Sequence, residues 1–174
     1  SDLKGLASKA VDWKKRGLAL PFTLEISSNL ENTNQKQVNL SSPSLMLPDK
    51  SYYEDEGAKK RMMDPLEKAF KEAFQKLGYS EKDSEKIVKE ALEFDGELAK
   101  YAQSNEETSE IKNLHHPKTA EDINAYSDTF KFHDIINDYL GQESGDVNVP
   151  NPKYYENFAK VVNDKNFGKL KSWM

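Results

Sequence analysis

The sequence predicts a mainly α chain, a multi-helix domain with one small β-hairpin near its N-terminus. Three observations carry this. Apolar residues recur at helical spacing, between start and stop signals, along most of 52–174. Only Phe22-Thr23-Leu24-Glu25-Ile26 alternates apolar and polar residues as a half-buried strand does. A mean hydropathy of -0.86 with 32% charged residues suits helices that bury one stripe and solvate the rest.

Asp2 to Arg16 predicts a helix with Leu3, Leu6, Ala7, Ala10, Val11 and Trp13 on its apolar face and Gly17 as its stop. The hairpin spans 20–42. Phe22, Leu24 and Ile26 face the core, Asn29 to Gln35 forms the turn, and Val38-Asn39-Leu40 returns. Pro43 and Pro48 make 41–49 a loop, and helical pattern resumes near Tyr52. Asp64-Pro65-Leu66-Glu67 reads as an internal start, with Asp at the cap and Pro at the first helical position. The alternative is one kinked helix from about Tyr52.

The stripe Leu66, Ala69, Phe70, Ala73, Phe74, Leu77 then runs to a stop at Gly78. Ser80 or Ser84 opens the next helix, which reaches about Tyr101 or Ala102, and 103–113 is polar loop. Thr119 to Asp122 resembles a capping box. Ser127 or Asp128 caps a helix that buries Phe132, Ile135, Ile136, Tyr139 and Leu140 and stops at Gly141. Residues 145–150 form a turn-rich link. Asn151-Pro152 opens a long final helix through Tyr155, Phe158, Val161 and Val162, and the closing Trp173-Met174 reads as a helix cut short. Ser1 at the start suggests a cut or engineered beginning.

At 174 residues the chain suits one domain or a large part of one, and 52–174 would hold its helices. A net charge of -5 and a pI near 5.3 argue against nonspecific nucleic-acid binding. Lys14-Lys15-Arg16 and Lys59-Lys60-Arg61 read as solvated helix surface. The absence of cysteine excludes disulfides and thiolate metal sites. No signal-peptide core or membrane-spanning apolar run is present.

Three ordered segments bear on function. The first is Leu47-Pro48-Asp49-Lys50-Ser51-Tyr52-Tyr53, behind the hairpin. The second is Ala91-Leu92-Glu93-Phe94-Asp95-Gly96-Glu97-Leu98-Ala99, followed by His116-Pro117-Lys118-Thr119-Ala120-Glu121-Asp122-Ile123. The third runs from Val147-Asn148-Val149 through Pro152, Tyr155 and Phe158 to Leu170 and Trp173. Together they resemble the neprilysin-like zinc metalloendopeptidases, including bacterial oligopeptidase-O proteins. The chain departs from their pattern at Ser109-Glu110, at His115-His116, and at Ser44 and Met46.

The resemblance implies part of the helical domain that walls a peptide-admitting cavity. The catalytic domain of the same polypeptide and peptide substrates would be its partners. Zinc would bind in that other part, through a His-Glu-x-x-His helix that this sequence lacks. The compartment is left open between the bacterial cytoplasm and secretion. The chain alone is expected to be inactive and to expose an apolar surface, with marginal stability or dimerisation as the consequence. The competing reading is a free-standing helical module that binds peptides or a partner protein.

Candidate chemistry is thin. His115 and His116 are adjacent and point apart, and His133 is distant, so these three make a poor metal site. Asn124-Ala125-Tyr126 resembles a substrate-binding tripeptide of such peptidases, but no zinc helix follows, and packing is the reading preferred. Glu54-Asp55-Glu56 and Glu106-Glu107 read as solvated helix-start charge. Gly141 to Gly145 lacks the strand and Lys of a phosphate loop. Tyr52 and Tyr53 remain as substrate-cavity candidates. The competing reading of both is that they pack the loop onto the hairpin.

Overall fold

The computed structural model describes residues 2–29 and 31–174. Mainly α architecture with an N-terminal hairpin is what the chain adopts. The predicted first helix is two, α1 (Leu3–Ser8) and α2 (Ala10–Lys15). Lys9, with φ -107° and ψ 2°, breaks the run, and its N–H bonds back to Leu6 and Ala7. The side chain of Asp2 caps α1 by accepting the Gly5 N–H at 2.7 Å. Leu3, Leu6 and Ala10 are buried, and Gly17 ends the unit at a φ of +73°, open to glycine at little cost.

Strand β1 (Thr23–Ser28) pairs antiparallel with β2 (Lys36–Ser41), with Leu24 opposite Leu40. Leu30, within the predicted turn, lies outside the described residues. Phe22 and Leu24 are buried as expected, but Ile26 is 58% exposed. Alternation continues past the point where the core covers the strand. The sheet also extends beyond the hairpin, in the order β1-β2-β4-β3. β4 (Val147–Asn148) runs parallel to β2, and β3 (Pro117–Lys118) antiparallel to β4. The predicted link at 145–150 is therefore partly a central strand. Two-residue strands are too short to show a period of two.

α3 (Ser51–Glu54) is followed by α4 (Glu56–Lys76), continuous through Pro65. The start predicted at Asp64 is not used. Asp55 caps the helix instead, accepting the Ala58 N–H at 2.6 Å, and the loss of one backbone bond at Pro65 is tolerated. α5 (Glu81–Ala99) is capped by Ser80 and packs antiparallel to α4. Met63 alone is fully buried on α4, and Leu77 at its end is 75% exposed. α6 (Asn105–Ser109) opens with a capping box of Ser104 and Glu107 inside the stretch expected to be loop.

α7 (Ala120–Asn124) carries the predicted box, Thr119 with Asp122. α8 (Phe132–Leu140) starts later than expected, because the Ser127 hydroxyl receives the N–H groups of Thr129 and Phe130 in a turn of its own. Gly141, at φ +70°, closes it. The final pattern resolves into α9 (Pro152–Glu156), α10 (Phe158–Val161) and α11 (Phe167–Trp173), the last packed along α5.

The core centres on aromatic rings. Phe132 meets Phe22, Tyr155 and Phe158 edge-on at 5.5, 5.3 and 5.1 Å, the favoured quadrupole geometry. The Tyr155 hydroxyl donates to the Ser41 carbonyl at 2.6 Å and the Tyr154 hydroxyl to that of Pro21 at 2.5 Å. Both polar tips are satisfied, and burial pushes both hydroxyls well above the usual tyrosine value. These contacts bind α9 to the hairpin and so fix the loop that leaves it.

Candidate functional site

The loop 43–50 leaves β2 and enters α3, and two carboxylates hold it. Asp95, on α5, is fully buried. It accepts the Met46 N–H at 3.1 and 3.3 Å, the Trp173 indole N–H at 3.4 Å, and the Tyr53 hydroxyl in a short bond. The Tyr53 oxygen in turn accepts the Leu47 N–H at 3.0 Å. Burial raises the Asp95 carboxyl above its ordinary value although the bonds from Tyr53, Met46 and Trp173 pull the other way. Burial and the adjacent Asp95 raise the Tyr53 hydroxyl, so it stays a donor at neutral pH.

The second carboxylate is Asp49. It accepts the Ser51 N–H at 2.8 Å and the Asn105 N–H at 2.6 Å, tying the starts of α3 and α6 together. These bonds, those of Ser51 first, hold it below the usual carboxylate range. A cleft of about 320 Å³ lies between this loop and residues 102–108, with Leu47, Asp49, Lys50 and Asn105 among its walls. Asn151 braces the same region from α9, donating to the Tyr101 carbonyl at 2.8 Å.

Tyr53 is thus an anchor, with its hydroxyl turned to Asp95 and Lys59 5.9 Å from its ring centre. Tyr52 is half-buried, and its N–H bonds to the Asp49 carbonyl at 3.2 Å. The two do not converge on one atom. The residues that sequence reasoning missed are Asp49, Asp95 and Trp173 as partners. A signal for Asp95 exists, since it lies in register with buried Val88, Ala91 and Leu98 on α5, where a charge needs a partner.

The histidines lie elsewhere, and the ring Nδ1 atoms of His115 and His116 are buried without a hydrogen-bond partner. Asn137 accepts the Ser144 N–H through its amide oxygen at 2.8 Å, which turns its NH₂ toward His133 Nδ1 at 3.2 Å. His133 therefore carries its proton on Nε2, which faces the Ser144 carbonyl and hydroxyl at 3.2 Å. The pair pins the α8–β4 connection. His115 Nε2 sits 3.2 Å from Glu31, and the His116 N–H donates to Asn148 at 2.7 Å. Asn148, buried in β4, also donates to Asn39 at 2.8 Å and to the Leu114 carbonyl at 2.9 Å.

No group of three His, Cys, Asp or Glu side chains converges among the described residues, so those described do not fit a zinc site. Asn124 of the Asn-Ala-Tyr tripeptide accepts the His133 N–H at 2.9 Å, and Tyr126 packs 5.5 Å from Tyr155 with its hydroxyl pushed up to about 12 by burial. Among the described residues no helix is long and apolar enough to cross a membrane.

The described residues form an α-rich body whose 43–50 loop is pinned by Asp49 and Asp95. The N-terminal model of peptidase family M13 matches residues 1–174. The chain belongs to peptidase family M13, which bears out the resemblance that the three motif segments carry. The neutral endopeptidase of Lactobacillus helveticus is 29% identical over 156 residues, which cover 90% of this chain and 24% of the relative. That of Lactococcus lactis subsp. cremoris is 29% identical over 156 residues, 89% of this chain and 25% of its own.

Among solved structures, PepO from Lactobacillus rhamnosis matches with a TM-score of 0.89 at 20% identity, over 100% of this chain and 28% of that one. The zinc metalloprotease Zmp1 of Mycobacterium tuberculosis in its open state matches at 0.82 and 17%, over 99% and 28%. The chain therefore spans about a quarter of the length of the curated relatives it matches.

Proposed function

We propose that this chain serves as the N-terminal scaffold of a zinc metalloendopeptidase that cleaves peptides, and that zinc and the catalytic groups belong to the polypeptide outside these 174 residues. One observation carries the reading. The family match runs the whole length of the chain, yet that length is about a quarter of its neutral-endopeptidase relatives. The loop 43–50 and Tyr52 would line the substrate cavity, with Tyr53 and Asp95 holding that wall in shape.

The test is a peptide-hydrolysis assay on the purified chain and on the full product of its gene, each with added zinc and with a chelator. The expected result is no cleavage by the chain and chelator-sensitive cleavage by the full product. Chelator-sensitive cleavage by the 174 residues alone overturns the assignment of the catalytic groups elsewhere. A full product that cleaves no peptide overturns the peptidase reading and leaves a binding module.

A further inference from the structure

The first two helices and the last helix border an apolar groove of about 350 Å³ that none of the described residues fills. Leu6, Trp13 and Leu18 form one wall, and Phe167 and Met174 the other. Leu18 is 48% exposed, a large apolar side chain left in water beside a hollow. The rim is cationic. Lys9 stands on one side, and Lys171 lies over the Phe167 ring at 5.3 Å on the other. Asp2, the acid at the rim, has its carboxylate turned to the α1 N-terminus as a cap. Residues 2–16 carry five cationic side chains against two acidic ones, in a chain whose net charge is -5.

We infer that this groove seats a segment of the M13 polypeptide lying outside these 174 residues, with an apolar stripe for the walls and acidic side chains for Lys9 and Lys171. The inference rests on the peptidase reading above and names the surface through which scaffold and remainder would join. The length of the relatives selects this occupant, since they carry roughly three times as much chain again outside the matched part. The local charge selects the acidic character, since a like-charged or neutral segment would leave the two ammonium groups unpaired.

These 174 residues contain no cysteine, so one introduced thiol reports without background in the chain, and in the full gene product labelling is read at position 18 itself by peptide mass mapping. Leu18→Cys is made in the 174-residue chain and in the full gene product, and its reaction rate with a maleimide is compared. Leu77→Cys, on the exposed α4–α5 tip, is the control. The expected result is a Leu18→Cys rate about tenfold or more slower in the full product, with the control equal in both. Lys9→Glu with Lys171→Glu in the full product should bring that rate back toward the isolated value.

Equal Leu18→Cys rates in a full product that still cleaves peptides overturn the groove assignment and leave the peptidase reading intact. Protection in the 174-residue chain itself, rising with concentration alongside dimer in sedimentation, makes a second copy the occupant and also overturns it. Protection unmoved by the double charge reversal overturns the acidic character of the segment.

Discussion

Replacing Asp95 by Ala strips one acceptor from three donors at once, the Met46 N–H, the Tyr53 hydroxyl and the Trp173 indole. A buried donor left without a partner costs about 1–3 kcal/mol. Removal of a buried charge returns part of its desolvation penalty. The net loss expected for Asp95→Ala is about 3–4 kcal/mol, a large share of the ~5–15 kcal/mol that holds a domain folded. Asp95→Asn keeps one oxygen for the Met46 N–H and Tyr53, and should cost about 1 kcal/mol.

Urea unfolding followed by tryptophan emission reads both, since Trp173 sits on the carboxylate and 5.6 Å from Phe94. Tyr53→Phe in each background completes a cycle, and its coupling with Asp95→Ala should reach about 1 kcal/mol or more. An Asp95→Ala loss below ~1 kcal/mol, or one equal to that of Asp95→Asn, would refute the view that this carboxylate holds the loop.

Further outcomes follow from the same geometry. Burial raises the folded-state pKa of Asp95 above 3.8, so acidification from neutrality toward that value should stabilise the unaltered chain relative to Asp95→Asn, an advantage lost as pH rises through the raised value; the opposite trend in pH-dependent urea midpoints would reverse the sign. Asn148→Ala unpairs Asn39, the Leu114 carbonyl and the His116 N–H together, and calorimetry should show a loss of about 2–4 kcal/mol. Phe132→Ala should cost about 3–5 kcal/mol, whereas Leu77→Glu at a 75% exposed site should stay within about 0.5 kcal/mol. Gly141→Ala forces a side chain into φ +70° and should cost about 1 kcal/mol, measured by the same unfolding curves.

Helix caps and the stripes of α5 and α8 were readable because each is a local pattern, whereas the stripe expected on α4 from Leu66 to Leu77 stays partly or wholly exposed. Gly17, Gly78 and Gly141 adopt the left-handed backbone that their positions foretold, and Thr119 with Asp122 closes the box its spacing promised. The Asp64-Pro65 signal misled because a stronger cap, Asp55, lies nine residues upstream and the stripe continues through the proline. β3 and β4 were invisible because their pairing is decided across the chain. Asn148 meets Asn39 from 109 residues away, and no window of sequence contains both.

The candidate wall was half legible. Tyr53 is singled out by the sequence, but its partner Asp95 enters only as part of the Ala91–Ala99 segment, although it shares the buried stripe of Val88, Ala91 and Leu98. Its importance appears only when Leu47–Tyr53, Ala91–Ala99 and Trp173, three separated motif segments, meet at one carboxylate.

The parallel pairing of β2 with β4 also sets a timetable. The β1–β2 hairpin can form as soon as it leaves the ribosome, but its sheet partner Asn148 follows Asn39 by 109 residues. At about 5–20 residues per second, that interval is roughly 5–20 s. Throughout it the inner edge of β2 stands open, with free backbone donors and acceptors that any extended chain could take. A slow codon run before Val147 would lengthen that exposure rather than relieve it.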